Sequence, residues 1–160
     1  MKTTHDIITS KRKRHSWGLF GVSLLIICCL IGGWYLWKTY TQRLSTQEIY
    51  ALLENRANGL RQKNLPQYLS CFSSSYRSPS QTFADLQTSA VRWFEQFVTI
   101  HFAFQILDIQ FQGERALVEN HYKFTLTDAD GETLELSQRE LLEIQREHGE
   151  WKITQSLSIQ

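Results

Sequence analysis

The sequence holds only three cysteines, and two of them, Cys28 and Cys29, lie in an apolar run. Cys71 stands alone in the remainder, so no disulfide can form there and the core must hold the fold. Acidic residues are nearly missing from the first 43 positions, where Asp6 alone faces seven Lys/Arg. From Leu44 onward the balance reverses, with ten Lys/Arg against fifteen Asp/Glu. An acidic domain lacks the clustered cations needed to displace counterions from phosphates, so nucleic acid is disfavoured as a partner. No Ser-His-Asp arrangement, phosphate-cradling glycine loop, internal repeat or low-complexity tract occurs. His101 and His121 fall on separate expected strands without carboxylates or cysteines at ligand spacing, so no metal is expected. No other cofactor is expected either.

Charge is also absent from Trp17 to Trp37, WGLFGVSLLIICCLIGGWYLW. As a helix rising about 1.5 Å per residue, this run spans roughly 31 Å, the thickness of a bilayer's hydrocarbon core. Trp17 at one end and Trp34, Tyr35 and Trp37 at the other suit the interfacial depths that amphipathic rings prefer. No small-residue cleavage step follows, which disfavours a removed signal peptide. Five apolar turns with no polar face disfavour a buried helix of a soluble protein. The Lys11-Arg12-Lys13-Arg14 block keeps the N-terminus in the cytoplasm by the positive-inside rule. The expected organisation is a basic cytoplasmic tail at 1–16, a single transmembrane helix at 17–37, a connector at 38–44 and a domain at 45–160. That places the domain on the far side of the cytoplasmic membrane, periplasmic or extracellular.

Within the domain, Ser45-Thr46-Gln47-Glu48 has capping-box spacing. Ile49, Leu52, Leu53, Ala57 and Leu60 then follow as the stripe of a helix with one buried face. A brief second helix is expected from Pro66 to Phe72, since proline suits a first helical turn. Ser73–Ser80 reads as a polar loop. A third helix is expected from Ser80 or Gln81, with Phe83, Leu86, Ala90, Phe94 and Phe97 at three- and four-residue steps.

After Thr99 the period changes to two. Strands are expected near Ile100–Phe111, Arg115–Thr127, Thr133–Arg146 and Trp151–Ile159. The second alternates cleanly, with Ala116, Val118, Asn120, Tyr122, Phe124 and Leu126 on one face. The third puts Leu134, Leu136, Leu142 and Ile144 on one face. The last would turn Trp151, Ile153, Gln155 and Leu157 inward. Asp128-Ala129-Asp130-Gly131 supplies a hairpin turn. The expected fold class is α+β, three helices packed on a curved antiparallel four-stranded sheet.

This order, closing on the step Trp151-Lys152-Ile153, resembles the nuclear-transport-factor-2-like superfamily of cystatin-like fold over about Ser45 to Ile159. Further echoes are Tyr68-Leu69-Ser70-Cys71-Phe72-Ser73 with Tyr76-Arg77 and Pro79, then Gly113-Glu114-Arg115-Ala116, Leu142-Glu143-Ile144 and Gly149-Glu150. They are most similar to the accessory module beside some bacterial L,D-transpeptidases. The cysteine-containing motif of those enzymes is absent, so the resemblance implies a fold and a cell-envelope setting and not their reaction. The assembly subunit of type IV secretion systems has a similar layout of tail, anchor and domain.

The resemblance also implies a cone whose mouth holds a small molecule, and in enzyme members an acid/base pair there. The residues expected to line it are Trp93, Asn120, Tyr122, Gln138, Glu140, Trp151 and Gln155, apolar walls with a few polar groups. Glu140 is the sharpest candidate, because a carboxylate desolvated in such a cleft can act as a general base. Against that, a bulge near Gln138 would turn it outward, or it pairs with Arg139 or a partner subunit. Asp108 raises the same question where the apolar pattern of the first strand switches faces around Ile106–Ile109, the mark of a bulge. Leu107, Leu117, His121 and Leu141 form a candidate interaction face on the outside of the sheet, for an envelope protein or a second copy.

The function expected on these grounds is a non-catalytic binding or protein-interaction module of the bacterial cell envelope, with no catalytic residue. The alternative is a small-molecule enzyme of the isomerase or dehydratase type using Glu140 or Asp108. A scaffold subunit of a secretion assembly is a third reading.

Overall fold

The computed structural model describes the backbone of residues 16–159 and the side chains of residues 30, 32–34 and 43–159. The chain divides into two compact units, 1–41 and 42–160. A first helix, α1, covers Ser16–Arg61. Among the described residues no helix is long and apolar enough to cross a membrane. The basic tail expected at 1–16, like most side chains of the anchor expected at 17–37, lies outside the described residues.

The helix expected to begin at Ser45 does not begin there, because α1 runs through residues 38–44. That stretch, KTYTQRL, contains neither glycine nor proline to stop a helix. Glu48 is therefore free of any capping duty, and its carboxylate accepts the indole N–H of Trp151 at 2.9 Å and pairs with Arg146. The end of α1 is set by Lys63 in the left-handed region (φ 53°). The Asn64 amide then folds back onto the Gly59 carbonyl at 2.8 Å, as helix C-termini do.

A short helix α2, Leu65–Leu69, follows, with Asn64 as its cap. The expectation that it reaches Phe72 is corrected: Phe72–Arg77 is a strand, β1. Helix α3, Phe83–Gln96, opens on a capping box formed by Thr82 and Asp85. The remaining strands are β2 (Thr99–Gln112), β3 (Arg115–Thr127), β4 (Thr133–Glu147) and β5 (Glu150–Ile159). The sheet order is β1-β5-β4-β3-β2. The expected four-stranded antiparallel sheet is thus a five-stranded mixed one, since β1 adds parallel to β5.

The core fills the concave side of this sheet. Ile49, Leu53, Ala57 and Leu60 of α1 are buried together with Val118, Leu142, Ile144 and Ile153 from the strands. Bulges in β2 and β5 decide which side chains face the concave side. Leu107 is the extra residue between Ile106 and Asp108, where the pairing of β2 with β3 shifts. Thr154 is the extra residue of β5, because Ile153 pairs with Ile144 whereas Gln155 pairs with Glu143. A single extra residue turns all later side chains to the opposite face. Ser156 and Ser158 therefore face the concave side, opposite Leu142 and Glu140, and the expectation that Gln155 and Leu157 face it is corrected.

Candidate functional site

A cavity of about 430 Å³ opens on the concave side. Arg56 and Leu60 of α1, Tyr68 of α2, and Phe72 and Tyr76 of β1 wall it on one side. Leu86 and Trp93 of α3, Tyr122 and Phe124 of β3, Glu140 of β4 and Ser156 and Ser158 of β5 complete it, with the 78–81 loop at its rim. Its volume lies within the range of small-molecule sites.

Arg56 occupies the apolar stripe of α1, beside Leu53, Ala57 and Leu60, and is only 8% exposed. Its guanidinium lies 5.4 Å from the centre of the Phe102 ring and 5.8 Å from that of Phe72, a setting that favours a cation over aromatic faces. Glu140, 4% exposed, lies opposite it. Its Oε1 accepts from Arg56 Nη1 at 2.7 Å and from Asn120 Nδ2 at 2.9 Å. Its Oε2 accepts from Ser156 Oγ at 3.2 Å and from Arg56 Nη2 at 3.4 Å. A buried charge persists only when it is paired and hydrogen-bonded in this way. Burial works against the charge on Arg56, but the neighbouring Glu140 carboxylate outweighs it and raises the Arg56 pKa. Arg56 Nε has no hydrogen-bond partner among the described residues.

Burial also pushes up the pKa of the phenols of Tyr68, Tyr76 and Tyr122, and the negative charge of Glu140 adds to this. All three remain protonated near neutral pH, so their hydroxyls can donate. Tyr122 donates to Gln138 Oε1 at 2.9 Å.

Of the residues expected to line the cone, Trp93, Tyr122 and Glu140 do so. Asn120 is fully buried behind Glu140 and orients it. Gln138 is reached through Tyr122. Trp151 lies outside the cavity, near the β4–β5 hairpin, bonded to Glu48. Gln155 is carried to the convex face by the Thr154 bulge. Asp108 is also on the convex face, exposed, paired across from Glu119 and bonded to Gln110. It cannot act inside the cone. Pairing of β3 with β4 is regular from end to end, so no bulge near Gln138 turns Glu140 away.

On the convex face Leu117, His121 and Leu141 are half-buried, and Leu107 is 38% exposed at its bulge. Cross-strand ion pairs surround them, Lys123–Glu135 at 3.1 Å and Arg139–Glu119 at 3.6 Å. His121 is hydrogen-bonded to Ser137 at 2.9 Å. Among the described residues no three His, Cys, Asp or Glu side chains gather as a metal site would require.

Sequence reasoning missed Arg56, Tyr68, Tyr76 and Ser156. The signal for Arg56 was present: a charge seven residues beyond Ile49, on the stripe that the leucines define.

No family model and no curated protein matches the chain in sequence. Solved structures match its fold. A nuclear-transport-factor-2-like superfamily protein from Salmonella enterica superposes with a TM-score of 0.65 at 15% identity, covering 74% of this chain and 92% of its own. A 'putative scytalone dehydratase' from Novosphingobium aromaticivorans gives 0.69 at 12% identity, covering 76% and 89%. A hexachlorocyclohexane dehydrochlorinase gives 0.64 at 10%, covering 74% and 86%. The expectation of a non-catalytic module is overturned here. It rested on the anchor, a missing catalytic constellation and the resemblance to accessory modules, yet the cone is open and holds a nearly buried carboxylate, and structures of this fold include an enzyme, the dehydrochlorinase. The α+β domain has the nuclear-transport-factor-2-like fold.

Proposed function

We propose that the domain is a small-molecule enzyme of the isomerase or dehydratase type, acting by proton transfer in the cone. The observation that supports it most directly is the buried Arg56–Glu140 pair on the wall of a 430 Å³ cavity flanked by protonated tyrosines. Glu140 is the proton acceptor. Its Oε1 is committed to short bonds from Arg56 and Asn120, whereas Oε2 has the two longer ones and is the oxygen available to a substrate C–H. The electron pair left on carbon passes into a carbonyl, giving an enolate, or expels a leaving group, giving a double bond. Tyr68 and Tyr76 are placed to donate hydrogen bonds to the oxygen on which charge develops. Isomerisation ends when Glu140 returns its proton to a different carbon. Arg56 and Asn120 hold the carboxylate in place.

The dehydrochlorinase supports this reading by likeness of fold alone, since function resides in the site. A test is solvent-deuterium uptake by a panel of cyclic β,γ-unsaturated ketones and β-hydroxyketones, followed by mass spectrometry. Exchange catalysed by the wild type and lost in Glu140→Gln supports the reading. Exchange that persists in Glu140→Gln, or none with any compound the cavity binds, overturns it.

The proposal includes the setting. An uncharged 21-residue run behind a basic block supports an uncleaved anchor at 17–37, with the domain outside the cytoplasmic membrane. Protease shaving of intact spheroplasts tests this: the domain should be cleaved without lysis, and full protection would reverse the orientation.

A further inference from the structure

We propose that the cavity selects uncharged ring-bearing molecules over carboxylates, and that Glu140 sets this preference by consuming the charge of Arg56. The inference rests on reading the cone as a substrate site and adds the class of substrate.

Among the described residues Arg56 and Glu140 are the only Asp, Glu, Lys, Arg or His side chains on the cavity wall, and their charges are paired with each other. The remaining polar side-chain groups there are hydroxyls, the Gln81 amide and the Trp93 indole N–H; the rest of the wall is aromatic or aliphatic. The wall is therefore rich in donors and ring faces and carries no net charge. A neutral ligand of hydroxyl or carbonyl type can stack on Trp93 and Phe124 and bond to tyrosine or serine hydroxyls without disturbing the pair. An anionic ligand has two ways in, and both are unfavourable. Beside the intact pair, it buries a charge with no counter-ion. Competing for Arg56, it displaces Glu140 and leaves that carboxylate buried and unpaired.

Removing the Glu140 charge while keeping its shape should invert the preference. In Glu140→Gln the guanidinium, with Nε already unpartnered, becomes a cation without a counter-charge. A planar carboxylate then satisfies it in the bidentate manner that guanidinium groups favour.

The test compares 2-naphthol with 2-naphthoate, matched in ring size and differing in charge, titrated by calorimetry at pH 7 into the detergent-solubilised full-length chain. We expect the wild type to bind 2-naphthol at least tenfold more tightly than 2-naphthoate, and Glu140→Gln to reverse the order. Equal or tighter binding of 2-naphthoate by the wild type overturns the charge rule and leaves the cone standing as a site. Binding of neither probe by a folded wild type removes the cone as a site for ring-bearing molecules, and the reading beneath the rule with it. The wild-type comparison needs no variant, so a Glu140→Gln chain that does not fold leaves the test decisive.

Discussion

Arg56 on α1 and Glu140 on β4 meet 84 residues apart in sequence, with Nη1 and Oε1 at 2.7 Å, each nearly buried at 8% and 4% exposure. This contact joins α1 to the sheet and puts a charged pair on the wall of the cavity. Its energetics and its chemistry can be probed separately.

Breaking the pair from one side should cost more than removing it whole. Arg56→Met leaves Glu140 buried without its cation, and a loss of about 3–5 kcal/mol is expected. The double variant Arg56→Met/Glu140→Leu should recover much of that loss. Urea denaturation of the two single variants and the double variant measures the coupling; equal losses in single and double variants would sink the idea.

Gly59 of α1 packs directly against Tyr68 of α2. A Cβ built there would lie 2.6 Å from the Tyr68 backbone nitrogen and 2.7 Å from its Cα. Gly59→Ala should therefore destabilise by about 1–3 kcal/mol through overpacking. In an open helix site the same change would stabilise by up to about 1 kcal/mol. The sign of the shift in thermal midpoint decides between the two.

Alkaline pH should unfold the domain through its buried acids. Burial raises the pKa of Tyr68 above its ordinary 10.0 and that of Cys71 above 9.0. Both are protonated in the native state and release protons more readily once unfolded. Their contribution is fully present below the unfolded values and is lost as pH rises from about 9 past 10, at up to about 1.4 kcal/mol per pH unit for each group. Stability measured from pH 8 to 11 should fall with increasing slope, and Tyr68→Phe should make the fall shallower. A flat profile would contradict the burial of these groups.

The Thr154 bulge predicts opposite results at adjacent positions. Ser156→Leu fills the cavity from the concave face and should abolish binding of 2-naphthol. Gln155→Leu lies on the convex face and should leave binding within a factor of two. Loss of binding in both variants would place β5 in the unbulged register.

How much of this was legible in the sequence varies from element to element. The period-two runs of β3 and of β4 from Glu140 onward determined their own faces, because alternating side chains must be split between core and solvent wherever one face is buried, whereas Leu134 and Leu136 earlier in β4 are exposed. Glu140 was legible as inward on that ground. The switch of apolar pattern around Ile106–Ile109 likewise announced the bulge at Leu107. The length and bareness of charge from Trp17 to Trp37, behind Lys11–Arg14, are properties of sequence alone, and the expectation of an anchor rests on them.

Other features were decided by contacts distant along the chain. Phe72–Arg77, FSSSYR, has no apolar alternation, and it is a strand only because the free edge of β5 offers it a parallel ladder. The Thr154 bulge leaves no mark in a stretch where Gln155 and Ser156 are equally polar, so Ser156 could not be assigned to the cavity beforehand. Arg56 could be seen to break an apolar stripe, but its partner could not be named. A buried charge requires a counter-charge wherever the fold brings one, and only the packing of α1 across the sheet brought Glu140 to it.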